Sequence, residues 1–403
     1  MFDIAVIGLG MIGSAALRYL SQPSTGLRTI GIGPAEPGDW ASHQGAFASH
    51  YDQARITRVT DPDEIWAALA QRSISSYAAI EQASGVRFHY PSGHLRVAPQ
   101  PHRGDDALAA AEAIGQALGA PVERLSRDQL AAQFPYLGLP EGATGLYERG
   151  EAGFVNPRAL VAAQQAIAQA QGATLLREEV RACARTARGF ALTTGGGQSI
   201  EAARVLVSAH GYSNSLLAEL TGRELDLVSM AHTTVYATIG PAEAARLAGM
   251  PSLIWGPIDH PALASVYTTP PMAYPDGSLR LKIGGPLHQH PTLDTPEAMR
   301  AWFQSAGNPA EIEALAGVLR ELVPALAAES WASKPCMNTY TTHGYPYIDQ
   351  LAEGVFVCTG GCGGAAKSSD EIGRAGALLA QHGEWRYDLP QATFRAVGVG
   401  QAS

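Results

Sequence analysis

The sequence contains few cysteines, few charged residues and no long apolar run. Four cysteines in 403 residues are too few to form a disulfide framework for a chain of this size. Charged residues make up 16% of the chain and the net charge is -9, so the clusters of Lys and Arg that bind nucleic acid are missing. No apolar stretch approaches the ~18 residues of a membrane span, and no basic run suits an anionic membrane surface. We therefore expect neither nucleic acid nor a membrane as a partner.

The start of the chain bears on where the protein is located, and its length bears on the number of domains. A strand is predicted to begin at Phe2, which leaves no room for the charged and apolar regions of a signal peptide. We therefore expect a cytoplasmic protein. The length exceeds what one hydrophobic core usually supports, so two domains are expected.

A glycine-rich turn follows the first predicted strand. Residues 2–7 form a short apolar run, as in a buried parallel strand, and the turn Gly8-Leu9-Gly10-Met11-Ile12-Gly13 comes directly after it. A helix is predicted over 14–21 and a second buried strand over 27–32. This order of strand, turn, helix and strand is the context in which Gly-x-Gly-x-x-Gly binds a dinucleotide.

The residues of this turn have separate roles. Gly8 allows the tight turn, Gly10 lets backbone N–H groups approach a diphosphate, and Gly13 lets the helix pack closely on the sheet. The helix N-terminus, at Met11 and Ile12, adds partial positive charge. The motif alone is weak, because any glycine-rich exit from a strand can match it, and the flanking strands strengthen it.

The second strand lacks the acidic residue that usually binds the ribose hydroxyls of a dinucleotide. The strand ends at Gly33, and the next carboxylate along the chain is Glu36. Either Glu36 reaches back to the ribose or other groups hold it.

Apolar periodicity in the remaining chain predicts βαβ pieces at the start, middle and end, with β-rich blocks between them. Helices are predicted over 65–83, 103–118, 157–172, 297–322 and 369–382. Strands are predicted over 180–200, 204–208, 228–239, 264–268, 279–283 and 354–359. The interleaving indicates a nucleotide-binding domain assembled from separate segments, with a second domain inserted twice.

Five segments have a distinctive order, spacing and residue content. They are the N-terminal βαβ unit, SHYDQARITR at 49–58, VLVSAHGYSN at 205–214, LKIG at 281–284, and the pair KPCM at 334–337 with GGCGGAAK at 360–367. Together they resemble the FAD-dependent amine oxidases typified by monomeric sarcosine oxidase and N-methyltryptophan oxidase, within the D-amino-acid oxidase-like superfamily. The last two segments are the most specific.

The resemblance implies an α/β fold in which a Rossmann-like FAD-binding domain carries an inserted α+β substrate domain built on a large mixed β-sheet. We assign the FAD-binding domain to 1–85, 150–215 and 330–385, the substrate domain to 86–149 and 216–329, and a C-terminal tail to 386–403.

The activity implied by the resemblance is an FAD-dependent oxidation of a secondary amine or of an N-alkyl or cyclic amino acid. Hydride passes from a C–H bond to flavin N5, the imine is hydrolysed, and dioxygen is reduced to hydrogen peroxide. The expected partners are a small-molecule amine and dioxygen, and the expected state is a monomer or a small homo-oligomer. A flavin amine dehydrogenase with another electron acceptor and a non-catalytic flavin-binding subunit are the alternatives.

Three residues are implied to act at the flavin ring. The resemblance makes Cys336 the thioether link to the flavin, whereas a lone cysteine is most often a buried structural residue. It places Lys282 over the flavin, where a fixed cation stabilises negative charge developing on dioxygen, and the alternative is a solvated strand lysine. Arg55 is expected near the flavin ring.

Two further cations resemble the pair that binds the substrate carboxylate. Arg58 offers a bidentate fork and Lys367 a point charge, although Arg58 could instead pair with Asp61 or Asp63 on the surface. Tyr267 and His343 are assigned to the substrate pocket. The remaining cofactor contacts are assigned to Val180, Ala209, Gly211, Gly361, Gly363, Gly364 and Lys367.

Three points of the sequence carry weaker signals. His288 and His290 have the spacing of a metal pair, but with no third ligand nearby in sequence we expect no metal site. Cys358 and Cys362 are expected to be unlinked thiols. A second register, starting at residue 41, leaves open whether His43, His50 or Tyr51 faces the flavin.

Overall fold

The computed structural model describes residues 1–98 and 105–400 of the chain. Its α-helices are α1 (Met11–Leu20), α2 (Glu64–Ser84), α3 (Asp105–Ala117), α4 (Arg127–Gln133), α5 (Pro157–Ala170), α6 (Ser213–Thr221), α7 (Pro241–Arg246), α8 (Pro296–Phe303), α9 (Pro309–Leu322) and α10 (Ser369–His382).

The strands of the described residues are arranged in three sheets. They are β1 (Phe2–Ile7), β2 (Thr29–Ile32), β3 (Arg55–Thr57), β4 (His89–Tyr90), β5 (His94–Ala98), β6 (Val122–Leu125), β7 (Thr144–Glu148), β8 (Gly153–Val155), β9 (Thr174–Leu176), β10 (Val180–Thr186), β11 (Gly189–Thr194), β12 (Ser199–Val207), β13 (Leu227–Ile239), β14 (Ser252–Trp255), β15 (Val266–Ala273), β16 (Leu279–Gly284), β17 (Ala328–Thr341), β18 (Tyr347–Ala352) and β19 (Val355–Thr359).

The first sheet has a parallel core of β19, β12, β1, β2 and β9. β11 and β10 continue it as an antiparallel ribbon, and β18 pairs with β19. Both faces are covered, as the apolar sequences of residues 4–7 in β1 and of β19 require. One face packs on α1 and α10, and the other packs on α6. This is the predicted Rossmann-like arrangement, and the predicted α/β class is confirmed.

The second sheet is mixed and has the strand order β17-β13-β16-β15-β14-β5-β7-β6. Only the β14–β5 pair is parallel among these neighbours. Val235 and Ile283 face the apolar side of the sheet, where Leu315 and Leu319 of α9 cover them. Because side chains alternate along a strand, Tyr236 and Lys282 point to the opposite side. That opposite side carries the chemistry described below.

β3, β8 and β4 form a small third sheet, in which β8 pairs with both other strands. β3 contains Arg55 and ends just before Arg58, so the segment with both arginines is held in extended form. α2 begins soon after, with the Asp63 side chain accepting a hydrogen bond from the Trp66 N–H. This cap fixes the path of the chain between Arg58 and the helix.

Two parts of the structure differ from the sequence prediction. The single helix predicted over 297–322 is two helices, α8 and α9, because Asn308 caps the second helix and Pro309 occupies its first turn. β17 lies in the second sheet, although 330–385 was assigned to the FAD-binding domain. The remaining domain boundaries stay predictions. Arg103, where a helix was predicted to start, and residues 401–403 of the tail lie outside the described residues.

No helix in the described part of the chain is both long enough and apolar enough to cross a bilayer.

Candidate functional site

A long cleft opens at the carboxyl ends of the parallel strands, where α/β sheets bind ligands. Its empty volume, open mouth included, is about 1720 Å³. Its walls include residues of the glycine turn, of the 46–51 segment and of the loop after β19. The predicted cofactor residues that line it are Gly8, Gly10, Met11, Ile12, Val180, Ala209, Gly361 and Gly363.

The glycine turn has the geometry that a bound diphosphate needs. Gly8 has φ +100°, and a Cβ atom on Gly13 would lie 1.9 Å from the Gly8 carbonyl oxygen, so both positions require glycine. A Cβ atom on Gly10 would meet only a ring nitrogen of His50, at 3.9 Å, so Gly10 faces open space. Gly10 is also the N-cap of α1, and no side chain caps that helix. The helix N-terminus is thus available to an anion.

A steric contact explains why the second strand is followed by glycine and not by the acidic residue that usually binds the ribose. A Cβ atom on Gly33 would lie 2.7 Å from the Leu9 backbone nitrogen, so no acidic side chain fits at the end of β2. The structure does not bring Glu36 to the cleft, because both its carboxylate oxygens accept hydrogen bonds of 2.6 Å from Arg158. Glu179, by contrast, lies in the cleft wall. The ribose contact of Glu36 remains a prediction that this geometry does not favour.

The structure places two of the three candidate residues of the 42–55 loop in the cleft wall. His50 and Tyr51 line the cleft, whereas His43 turns its ring nitrogen to the Ala46 carbonyl oxygen at 3.2 Å. Burial lowers the pKa of His50 to about 3, and nearby arginines act in the same direction. His50 is therefore a neutral side chain in the cleft.

Asp52 forms the centre of a buried charge network. The Lys282 ammonium donates a hydrogen bond of 2.6 Å to one carboxylate oxygen, and Arg55 pairs with the same oxygen. The hydroxyls of Tyr236 and Tyr274 donate to the other oxygen, at 3.3 and 3.1 Å. Lys282 is 1% exposed, so the alternative of a solvated strand lysine is wrong.

The charges in this network shift one another's pKa values. Burial lowers the pKa of Lys282 to about 8, and the Arg55 charge adds to this effect while Asp52 opposes it. Burial alone would raise the pKa of Asp52, but Lys282 and Arg55 outweigh it and hold that pKa well below its ordinary value. Asp52 is therefore ionised, and Lys282 is protonated at neutral pH.

Cys336 lies on β17 beside this network. Its sulfur is 3.7 Å from an Arg55 nitrogen, and its carbonyl oxygen accepts a hydrogen bond of 2.7 Å from the Trp302 indole. Cys336 is partly exposed and free. Cys358 and Cys362 are free as well, and burial raises the pKa of both thiols.

The two cations assigned to the substrate carboxylate meet at Asp61. An Arg58 nitrogen lies 3.1 Å, and the Lys367 ammonium 3.3 Å, from the same Asp61 oxygen. The Arg58–Asp61 pair considered from the sequence does form, but it is largely buried instead of lying on the surface. Burial lowers the pKa of Lys367 to about 8, against the opposing charge of Asp61. Ala365 and Ala366, directly before Lys367, line the cleft.

Of the other predicted pocket and cofactor residues, Tyr267 lies near the charged groups of the site, and the rest make contacts within the fold. The Lys282 ammonium lies 5.4 Å from the centre of the Tyr267 ring, which places Tyr267 beside the Asp52 network. His343 is not brought into the cleft, since its ring bonds the Arg395 carbonyl oxygen at 2.9 Å in the C-terminal segment. Gly211 and Gly364 are packing positions, because a Cβ atom there would meet Ser229 and Trp66.

The histidines considered as metal ligands acquire neighbours in the fold. Side-chain atoms of His232, His290 and Glu311 lie within 4.8 Å of one another. Both His290 nitrogens are already engaged, one with the Ala231 carbonyl oxygen and one by the Leu287 N–H, each at 2.9 Å. Within the described ranges this cluster therefore lacks a free third ligand, and His288 is not part of it.

Comparison with known proteins gives one family match and partial matches to named relatives. A profile of the FAD dependent oxidoreductase family matches residues 3–379. Monomeric sarcosine oxidase of Streptomyces avermitilis is 33% identical over 44% of this chain and 44% of its own length. A probable sarcosine oxidase of Arabidopsis thaliana is 24% identical over 70% of this chain and 66% of its own length. The alignments thus cover less than two thirds of these relatives.

A solved structure shares the fold along the whole chain. It is an unusual amino acid oxidase essential for nikkomycin biosynthesis, in its open form. The two chains are 20% identical and superpose with a TM-score of 0.78. The superposition covers 99% of this chain and 98% of the other.

Proposed function

The chain belongs to the FAD dependent oxidoreductase family, and on this basis we propose that it is an oxidase of a secondary amine, namely an N-alkyl or cyclic amino acid. The observation that carries the proposal is the meeting of Arg58 and Lys367 at Asp61, next to the cleft. A buried cation pair beside a dinucleotide cleft is suited to a substrate carboxylate. The partial relatives, named as sarcosine oxidases, point to the same substrate class.

The chain's own residues fit FAD. The uncapped N-terminus of α1 and the open face of Gly10 would hold the diphosphate. Cys336 is the free thiol that borders Arg55, and we assign the covalent flavin link to it. When bound, FAD supplies the hydride acceptor for the amine. The protein supplies position and charge.

The substrate carboxylate replaces Asp61 in part as the partner of Arg58 and Lys367. Arg58 and Lys367 release their shared contact with Asp61 in part and bind the carboxylate of the amino acid. Their positions fix the distance of its amine from Tyr267 and Lys282. No general base is needed to remove a proton from nitrogen if the amine binds in its neutral form.

Lys282 is assigned to the reaction with dioxygen. Its ammonium is buried and fixed by Asp52 and by the Ala54 carbonyl oxygen, at 2.6 and 2.8 Å. A fixed cation in a low-dielectric site stabilises negative charge that develops on dioxygen, and the product is hydrogen peroxide. Asp52 keeps this cation protonated at neutral pH.

One observation favours the dehydrogenase alternative. Asp52 neutralises Lys282 at a contact of 2.6 Å, which weakens the field that Lys282 presents to dioxygen. Arg55 restores the net charge of this group of three to +1, and that remaining charge favours the oxidase.

The test is a reduction experiment on the purified yellow protein. Sarcosine, N-methylalanine and proline are added without oxygen, and bleaching of the flavin is followed at its visible absorbance. Bleaching, followed on admission of air by one equivalent of hydrogen peroxide per flavin, supports the oxidase. Bleaching that persists in air but is reversed by an artificial acceptor identifies a dehydrogenase. Failure of every secondary amino acid to bleach the flavin contradicts both and favours a non-catalytic subunit.

A further inference from the structure

β5 places an arginine, Arg96, on the side of the second sheet that carries Tyr267. Tyr267 pairs with Ile254 of β14, and Ile254 pairs with Arg96 of β5. Directly paired residues point to the same face of a sheet, so Tyr267 and Arg96 share that face. Two strand spacings separate them, which is about 10 Å. Arg96 thus lies beyond Tyr267 on the side away from Lys282.

Arg96 carries a positive charge for which the described residues provide no ion pair. Its Nε atom is buried and has no hydrogen-bond partner. Burial lowers the pKa of Arg96 to about 10, and the Arg58 charge adds to this effect while Asp61 opposes it. Arg96 is therefore close to the cations of the carboxylate site and remains protonated at neutral pH.

The nearby carboxylates are already in use. Asp61 is shared by Arg58 and Lys367. Glu148 of β7 accepts hydrogen bonds from the backbone of residues 59 and 60 and from the Thr60 hydroxyl, at 2.6 to 3.1 Å. Arg96 is partly exposed with its Nε atom buried; a cation largely withdrawn from water without an ion pair is costly, and a ligand anion can supply the missing partner.

His94 adds no charge to this group. Its Nδ1 atom lies 3.0 Å from the Ser252 hydroxyl, which donates to the Gly93 carbonyl oxygen, so Nδ1 carries the ring proton. Burial and the neighbouring cations hold the pKa of His94 well below its ordinary value. Its buried Nε2 atom is unpartnered and is an acceptor. Arg96 is therefore the source of the unbalanced charge.

We propose that Arg96 binds a second carboxylate of the substrate, so that the substrate class is an N-substituted dicarboxylic amino acid. The first carboxylate lies between Arg58 and Lys367, and the second reaches across the face of Tyr267 to the Arg96 guanidinium. This inference rests on the proposed function, since it extends the same substrate site.

The experiment compares inert ligands that differ in one group. (Methylthio)acetate has one carboxylate, (methylthio)succinate has two, and the distal amide of the latter replaces the second carboxylate with a neutral group of equal size. Each is titrated into the holoprotein without oxygen, and binding is followed by the flavin spectrum and by the shift in melting temperature. We expect the diacid to bind on the order of 10- to 100-fold more tightly than the monoacid, as a charged hydrogen bond provides.

Variants connect this preference to Arg96. Arg96→Gln is expected to abolish it by weakening diacid binding far more than monoacid binding. Arg96→Lys keeps the charge and is expected to keep part of the preference. Arg149→Gln, which removes an exposed arginine paired with Glu123 on the same sheet, is the matched control and keeps the full preference.

Several outcomes would overturn the inference. These are equal binding of monoacid and diacid to the wild type, equal losses of both in Arg96→Gln, or amide binding as tight as diacid binding. If Arg96→Gln does not fold, Arg96→Lys takes its place, and equal losses of monoacid and diacid affinity in that variant would refute the inference. N-methylaspartate and sarcosine are then compared as reductants of the flavin. A retained diacid preference without any reduction would reject the proposed function and leave the second carboxylate site intact.

Discussion

Replacement of Asp52 by Asn tests the charge network most directly. The change removes a buried negative charge that contacts Lys282 and Arg55, and it keeps the size of the side chain. At an effective dielectric of 20, two charges about 4 Å apart interact by about 4 kcal/mol. One pKa unit corresponds to about 1.4 kcal/mol. Loss of Asp52 therefore lowers the pKa of Lys282 by about 3 units.

The consequence is a shift in the pH dependence of the reaction with dioxygen. The pKa of Lys282 is lowered from 10.5 to about 8, so its cation is present below pH 8 and is lost as the pH rises through 8. Reoxidation of the reduced wild-type flavin should slow over that range. In Asp52→Asn the same decline should be centred near pH 5, about 3 units lower. The assay is stopped-flow reoxidation of substrate-reduced enzyme between pH 4.5 and 10.

A matched control and a stability measurement accompany this assay. Tyr274→Phe removes one hydroxyl that donates to the same carboxylate and leaves the charge of the carboxylate unchanged. The pH at which the reoxidation rate declines should therefore move by less than about 1 pH unit. Asp52→Asn should also lower the free energy of unfolding by about 3 to 5 kcal/mol, because two cations lose their buried partner. An unchanged pH profile in Asp52→Asn, or a wild-type rate with no decline between pH 7 and 9, would refute the reasoning.

Three further changes test other parts of the site. Cys336→Ser should release the flavin into the supernatant after acid precipitation, whereas the wild-type flavin stays with the pellet; wild-type flavin in the supernatant would reject the covalent link. Gly13→Ala places a Cβ atom 1.9 Å from the Gly8 carbonyl oxygen and should destabilise the fold by more than about 2 kcal/mol in urea unfolding, while Gly10→Ala should unfold within about 0.5 kcal/mol of the wild type. Lys367→Gln should raise KM for an amino acid at least about tenfold, and wild-type KM should rise as the pH passes 8, where Lys367 loses its proton; a flat KM between pH 7 and 9 would contradict this role.

Local patterns in the sequence predicted the parallel core, whereas the cations of the site were named from the resemblance of short segments to a known family. The Gly-x-Gly-x-x-Gly turn, Lys282 and the arginines of 49–58 stand in short segments whose order identifies them. Asp52 lies within the same 49–58 segment, yet its role was not predicted. Its partner Lys282 is 230 residues away, and no local pattern indicates that the two meet. An acid three residues before Arg55 was the available signal.

Other differences arise from contacts that only the fold creates. β17 was not predicted as a strand, because Lys334 and Pro335 interrupt the alternation of a sequence that pairs with β13 along its full length. His343 lies within a Tyr- and Thr-rich segment, 340–347, that was interpreted as lining the pocket, but the C-terminal segment provides its partner. Glycine is required at position 33 because a larger side chain would contact Leu9. The sequence of the second strand does not indicate this contact.

The position of Asp61 has a consequence for selectivity against small inorganic ions. Because Asp61 already pairs with Arg58 and Lys367, it acts as an internal competitor, and an incoming anion gains only the difference between its own contacts and those it displaces. Chloride or phosphate, which lacks the rest of the substrate, gains little from that exchange. An amino acid adds the contacts of its amine and side chain. We therefore expect the enzyme to retain its affinity for substrate at salt concentrations that saturate an open cationic site.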